Sequence, residues 1–215
     1  MRSRCTVLVC ACLAAPTIAG TISAGQLDDF NDGTTESWTN AAFTFSNVDG
    51  GQGGAGDRYL EVIGTGGDGP GSRIAVHNNE QWSGDYVSAG VTAIQFDLAN
   101  FSATALEMRI LILAGSDLFA ATTAAVLPAD GQWQTVTFGL NEIELTQVGG
   151  VGDLSKALSQ VDRLLIRHDP GPPSGVPGGT PIVGTLGIDN VLAIPEPGSG
   201  LLLLGALCAA RRVRP

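Results

Sequence analysis

The sequence predicts an all-β protein, an antiparallel β-sandwich, and two observations carry that prediction. Segments of four to nine residues recur in which apolar and polar side chains alternate, and clusters of Gly, Pro, Asn and Asp separate them. Between these segments almost no stretch has helical periodicity. That removes parallel α/β architectures, which place a helix between most strands.

Taken in order, Phe43–Val48 is the first segment, followed by Tyr59-Leu60-Glu61-Val62-Ile63 and Ser72–His77. A strand places alternate side chains on opposite faces, so each later segment predicts which residues point inward. From Val91 to Leu98, Ile94, Phe96 and Leu98 share one face, with Gln95 and Asp97 on the other. Leu106, Met108, Ile110 and Ile112 alternate against Glu107 and Arg109, and Phe119–Val126 reads as one further strand. In Gln132–Leu140, Val136, Phe138 and Leu140 oppose Trp133, Thr135 and Thr137. Leu164 and Ile166 alternate with Arg163 and Arg167, and Leu186–Ile194 closes the domain. One helix is expected, Leu154–Gln160, with Asp153 as its N-cap.

The ends differ from the middle. Met1-Arg2-Ser3-Arg4, an apolar run from Cys5 to Ala19 and small residues at Ala19, Gly20 and Ala24 read as a secretory signal peptide over residues 1–24. Cys10 and Cys12 raise a lipoprotein signal as a rival, but the apolar core before Cys12 is short for one. At the other end, Pro195-Glu196-Pro197-Gly198-Ser199-Gly200 precedes the apolar run Leu201–Ala210 and the basic end Arg211-Arg212-Val213-Arg214-Pro215. The apolar stretch from Gly198 to Ala210 has thirteen residues, against about 20 for a full membrane span. This order of proline motif, apolar helix and basic end, over residues 195–215, resembles the PEP-CTERM sorting tail. The resemblance implies Pro195, Glu196 and Pro197 as the motif, an exosortase-like membrane protease as partner, transient anchoring in the inner membrane, and delivery to the cell surface or beyond. A plain membrane anchor and a terminal helix packed on the domain are the competing readings.

All four cysteines, Cys5, Cys10, Cys12 and Cys208, lie in those terminal segments, so the domain over residues 25–194 has no disulfide, thiol nucleophile or thiolate metal site. That domain holds six basic against twenty acidic residues, a net charge of −14. Such a surface repels nucleic acid and anionic lipid and favours divalent cations. Nucleic-acid binding is excluded as its function.

Asp29-Phe30-Asn31-Asp32-Gly33 with Trp38, Tyr59-Leu60-Glu61-Val62, Trp133-Gln134-Thr135-Val136 and Gly187-Ile188-Asp189-Asn190-Val191 together resemble, over residues 27–193, the galactose-binding-like jelly roll of carbohydrate-binding modules. The resemblance implies a structural Ca²⁺ held by Asn31, Asp189 and the turn at Gly56-Asp57, with carboxylate and carbonyl oxygens as its ligands. Resembling modules usually carry Glu where this chain has Asn31. A plain turn at Asp32-Gly33 is the competing reading.

Sugar readers present aromatic faces, and Trp82 and Tyr86, within the polar run Asn79–Tyr86, are the candidate ligand-binding residues. Large aromatics in a sandwich also serve as core plugs, the reading that suits Trp38. Gly51-Gln52-Gly53-Gly54-Ala55-Gly56 matches G-x-G-x-x-G, but a strand follows it where a nucleotide site needs a helix. His77 and His168 lack metal-ligand spacing, and no G-x-S-x-G is present. The sequence therefore predicts an exported, non-enzymatic surface or matrix protein associated with exopolysaccharide. A module for a defined glycan and a secreted glycan-active hydrolase are the alternatives.

Overall fold

The computed structural model describes residues 21–42, 44–69 and 71–197. Most of the leader and the apolar run from Leu201 lie outside the described residues, as does Phe43. Among the described residues no helix is long and apolar enough to cross a membrane.

In chain order the strands are β1 (Leu27–Asp28), β2 (Phe45–Gly51), β3 (Gly54–Thr65), β4 (Ala75–Asn78), β5 (Val91–Asn100), β6 (Leu106–Ala114), β7 (Asp117–Ala121), β8 (Ala125–Leu127), β9 (Trp133–Gly139), β10 (Leu145–Gly149), β11 (Arg163–His168) and β12 (Val183–Pro195). They form two six-stranded sheets. The first runs β2-β3-β12-β5-β9, with β1 added on β12; the second runs β10-β7-β6-β11-β4, with β8 added on β6. Every pairing is antiparallel. The expected all-β sandwich is present.

The inward faces are those the alternation predicts. Ile94, Phe96 and Leu98 from β5 are fully buried, as are Met108, Ile110 and Ile112 from β6 and Leu164 and Ile166 from β11. Two differences stand out. Phe119–Val126 is not one strand: it divides into β7 and β8, which pair with β6 at Leu118↔Leu113 and Leu127↔Leu106. The nine-residue β6 offers room for both partners. The short β1 and β10 had no period-two signal to announce them. Helix α1 is Leu154–Leu158, and Asp153 caps it by accepting from Lys156 N at 2.7 Å.

The folded domain also begins earlier than residue 25. Ile22 is buried in the core and its N–H donates to Ser83 O at 3.0 Å.

The glycine run 51–56 is the hairpin joining β2 to β3, not a phosphate loop, since Gly54 already opens β3.

One polar cluster fixes the start of the chain inside the sandwich. Asp28, buried at the end of β1, accepts from Trp38 Nε1 at 2.8 Å and Trp82 Nε1 at 2.6 Å through the same oxygen. The two indoles lie 6.2 Å apart, and Trp38 meets Phe96 edge-on at 6.4 Å. Burying an indole without an acceptor is costly, so this carboxylate is what lets both rings enter the core.

Candidate functional site

Trp82 and Tyr86 are not ligand-binding residues at the surface: both are fully buried. The Tyr86 hydroxyl donates to Trp82 O at 2.8 Å, and burial raises its pKa far above the ordinary phenol range. The polarity of Asn79–Tyr86, which suggested a binding loop, is spent on local turns. Asn78 Oδ1 accepts from Glu80 N, Ser83 Oγ donates to Glu80 O, and Asp85 accepts from Ser88 N and Oγ.

Exposed aromatic surface lies elsewhere, on the outward face of the first sheet. Tyr59, Phe101 and Trp133 pack around one point, with centroids 5.2 Å apart for Tyr59–Trp133, 5.8 Å for Tyr59–Phe101 and 6.0 Å for Phe101–Trp133. The point is Gly187 of β12. A methyl group there would stand 2.8 Å from Trp133 Cη2 and 2.9 Å from Phe101 Cε2, so only glycine lets the three rings settle on the sheet. Register explains the gathering: Gly187 pairs with Glu61 of β3 and Ala99 of β5, and Ala99 pairs with Trp133 of β9. Phe101 is 41% exposed and Trp133 is partly exposed, whereas Tyr59 is largely covered by its neighbours. Ile63 and Val183, 40% and 72% exposed, extend the apolar surface along β3 and β12. The half-covered Glu61 carboxylate sits beside it, and burial together with that charge raises the Tyr59 pKa. Sequence alternation did place Trp133 opposite the core residues of its strand. It could not show that Tyr59 and Phe101 would join it, because that depends on strand order.

At the far end of the same face, Asp57 and Asp189 meet. Asp189 has no exposed surface, its Oδ2 accepts from Gln52 N at 2.9 Å, and its Oδ1 accepts from Asn190 N at 2.7 Å. Burial first, and the charge and hydrogen bond of Asp57 after it, raise the Asp189 pKa to about 6. Asp189 stands where β12 bulges, between its pairing with Asp97 and the resumed ladder at Leu192. Asn31 Oδ1 accepts from Arg58 N at 3.0 Å, one residue beyond Asp57. Two of the three expected metal ligands thus converge, and the third abuts the same strand. Among the described residues no group of three or more His, Cys, Asp or Glu gathers around a common point.

Pro195, Glu196 and Pro197 are exposed where β12 ends, and Glu196 N donates to Gly90 O at 2.8 Å.

No family model matches this sequence, and no curated protein matches it. Solved structures do match the fold. An exo-β-agarase structure superposes with a TM-score of 0.55 at 13% identity over 79% of this chain, which spans only 24% of that protein. The family 11 carbohydrate-binding module from Clostridium thermocellum, in complex with a β-1,3-1,4-mixed-linked tetrasaccharide, gives 0.52 at 16% identity, covering 81% of this chain and 98% of that module. At these identities the likeness shows the fold alone, an antiparallel jelly roll of two sheets.

Proposed function

We propose that this chain is an exported glycan-binding module, non-enzymatic, that holds exopolysaccharide at the cell surface or in the extracellular matrix. The observation that carries the reading is the Tyr59–Phe101–Trp133 surface over Gly187. The exposed parts of Phe101 and Trp133 suit the C–H surface of a sugar, and Glu61 beside them is a hydroxyl acceptor. Fold likeness to a glycan-bound module adds support but carries no specificity. A hydrolase reading is weaker here. Glycosidase carboxyls flank the scissile bond about 5 Å or more apart in a cleft, whereas Asp28 is buried beneath Trp38 and Trp82, and Asp189 has no exposed surface.

The test uses an internal reporter. Of three tryptophans, Trp38 and Trp82 are buried, so a ligand-induced change in emission reports Trp133. Trp133→Ala is expected to weaken binding to neutral β-glucan or galactan oligosaccharides about 10- to 100-fold, as for a central aromatic anchor. Gly187→Ala should act in the same direction by lifting the rings. Unchanged affinity in both variants, or no binding by the parent chain across a glycan array, sinks the reading.

Export and sorting belong to the same proposal. Exposure of Pro195, Glu196 and Pro197 at a strand end leaves the motif reachable by an exosortase-like protease at the membrane. Intact mass of the exported form should end near Pro195, and loss of the protease should trap a longer form in the inner membrane. A chain intact to Pro215 in both cells contradicts it.

A Ca²⁺ ion held by Asp57 and Asp189, with Asn31 Oδ1, which here accepts from Arg58 N, as a neutral ligand, is part of the same proposal. Bound there, the ion would relieve the two adjoining carboxylates, as a proton on Asp189 does below about pH 6. Millimolar Ca²⁺ is expected to raise the Tm at pH 7.5 and to do so less at pH 5, where Asp189, with its pKa of about 6, holds a proton. Asp189→Asn should remove the increment. An equal or absent response at both pH values rejects the site.

A further inference from the structure

The outward face of the second sheet carries a pocket that neither the aromatic surface nor the Asp57–Asp189 corner uses. With Leu164 and Ile166 of β11 in the core, Arg163 and Leu165 point outward. Leu165 pairs with His77 of β4, and Ala75 of β4 pairs with Arg167, so these side chains share a face. Here a pocket of about 270 Å³ opens, floored by Leu165 and Ala75 and walled by Arg73, His77, Arg163 and the backbone at Gly178.

Its two guanidiniums are not neutralised. Among the described residues the one ion pair joins Arg167 to Asp169. Arg73 donates to two backbone carbonyls, Gly179 O at 2.8 Å and Asp68 O at 3.1 Å, while its Nε is buried without a partner. Arg163 Nε is likewise buried and unpartnered, and its charge is felt by His77, whose pKa is lowered mainly by burial and further by Arg163. Asp68 is the one carboxylate that lines the pocket, and it is exposed at the rim. In a domain with twenty acidic and six basic residues, two cations facing one pocket without a carboxylate partner run against the composition.

We propose that this pocket binds the oxyanion of an acidic saccharide, a carboxylate or a sulfate ester, between Arg73 and Arg163. A guanidinium fork matches either group with paired N–H donors. The apolar floor of Leu165 and Ala75 lies against the sugar's C–H face, and neutral His77 serves a hydroxyl. The inference rests on the glycan-binding reading for the sugar and on the pocket alone for the anion.

The experiment follows the arginine Nε–Hε NMR signals of the full chain during separate titrations. The probes are sodium sulfate, oligogalacturonate, sulfated galactan oligosaccharide and neutral galactan oligosaccharide. Arg73 and Arg163 signals are expected to shift with at least one acidic saccharide and not with the neutral one. Arg163→Met should weaken that binding at least 10-fold while leaving the Tm and neutral-glycan quenching of Trp133 unchanged. Arg163→Lys, which keeps the charge but loses the fork, should fall between. Equal acidic-saccharide binding by Arg163→Met overturns the proposal. So does a response to inorganic sulfate with none to either acidic saccharide. Loss of neutral binding in Trp133→Ala bears only on the aromatic surface, so the two readings fail separately.

Discussion

Replacing Asp28 with alanine is expected to destabilise the fold by about 3–5 kcal/mol, because it orphans two buried indole donors at once. Asp28 is 4% exposed, and Trp38 and Trp82, which it serves through one oxygen, are 1% and 0% exposed. Each unsatisfied buried donor costs about 1–3 kcal/mol. Asp28→Asn keeps a carbonyl oxygen for both indoles but replaces the other oxygen with an NH2 donor, so its cost should be smaller, about 1–2 kcal/mol. Urea unfolding of both variants decides the matter. A cost below about 1 kcal/mol for Asp28→Ala would mean that the indoles find other partners.

The same cluster makes stability fall with rising pH. Glu36 Oε1 accepts from Phe30 N at 3.0 Å, while its Oε2 is buried and no donor reaches it. A proton on that oxygen would relieve both its burial and the Asp28 charge, which together push the Glu36 pKa up to about 8 from 4.5. Asp29 adds a smaller charge of the same sign, and burial raises Asp28 itself. A folded-state pKa above the unfolded one gives stability that is full below about 4.5 and lost as pH rises through about 8. Asp189 contributes the same sign but only up to about 6. His77 and His168, both lowered, have lost their protons by pH 7. A fall in Tm is therefore expected between pH 7 and pH 8.5, and it belongs to the Asp28–Glu36 pair. Glu36→Gln copies the protonated acid, so it should match the parent chain near pH 5 and exceed it at pH 8.5. A flat parent profile over that interval contradicts the assignment.

How far the sequence could be read follows from what each inference depended on. Alternation in β5, β6, β9 and β11 is local, and it named Phe96, Ile110, Phe138 and Ile166 as core residues correctly. β1 has only two residues and Leu145-Thr146-Gln147-Val148-Gly149 of β10 does not alternate, and both strands exist because β12 and β7 offer them ladders. The polar run at Asn79–Tyr86 misled for a related reason: polarity does not reveal whether a side chain's partner is water or the next turn. Trp82 entered the core only because Asp28, 54 residues away, supplies an acceptor. The aromatic surface needed strand order as well, since Tyr59, Phe101 and Trp133 come from three separated segments and meet over a fourth at Gly187. Asp57 and Asp189 were legible through a family resemblance. The Arg73–Arg163 pocket left no signal, because isolated arginines in alternating segments read as solvated faces.

Asp169→Ala is expected to cost about 3–5 kcal/mol and to disturb the arginine pocket from a distance. Arg167 has no exposed surface, and its Nη2 meets Asp169 Oδ2 at 2.7 Å. Burial lowers the Arg167 pKa and the Asp169 charge opposes that shift, so removing the carboxylate leaves a buried cation. Asp169 also holds its own loop, accepting from Ser174 N at 3.1 Å and Ser174 Oγ at 2.8 Å. Arg167 Nη1 ties down Val176 O, and Arg109 Nε reaches Asp169 O at 3.0 Å. That loop continues into Gly178, the backbone wall of the pocket, so its release should weaken acidic-saccharide binding. The Trp133 surface lies on the other sheet and should keep its neutral-glycan affinity. Replacing both partners, as in Arg167→Met with Asp169→Leu, removes the orphaned charge and should recover most of the stability, since paired apolar replacements of buried ion pairs are often neutral. It should not recover the loop, because Ser174 O and Val176 O both lose their Arg167 donors. Recovered stability with anion binding still impaired would separate the energetic role of the pair from its positioning role. Recovery of both would show that the loop holds itself and that the pocket does not depend on the buried pair.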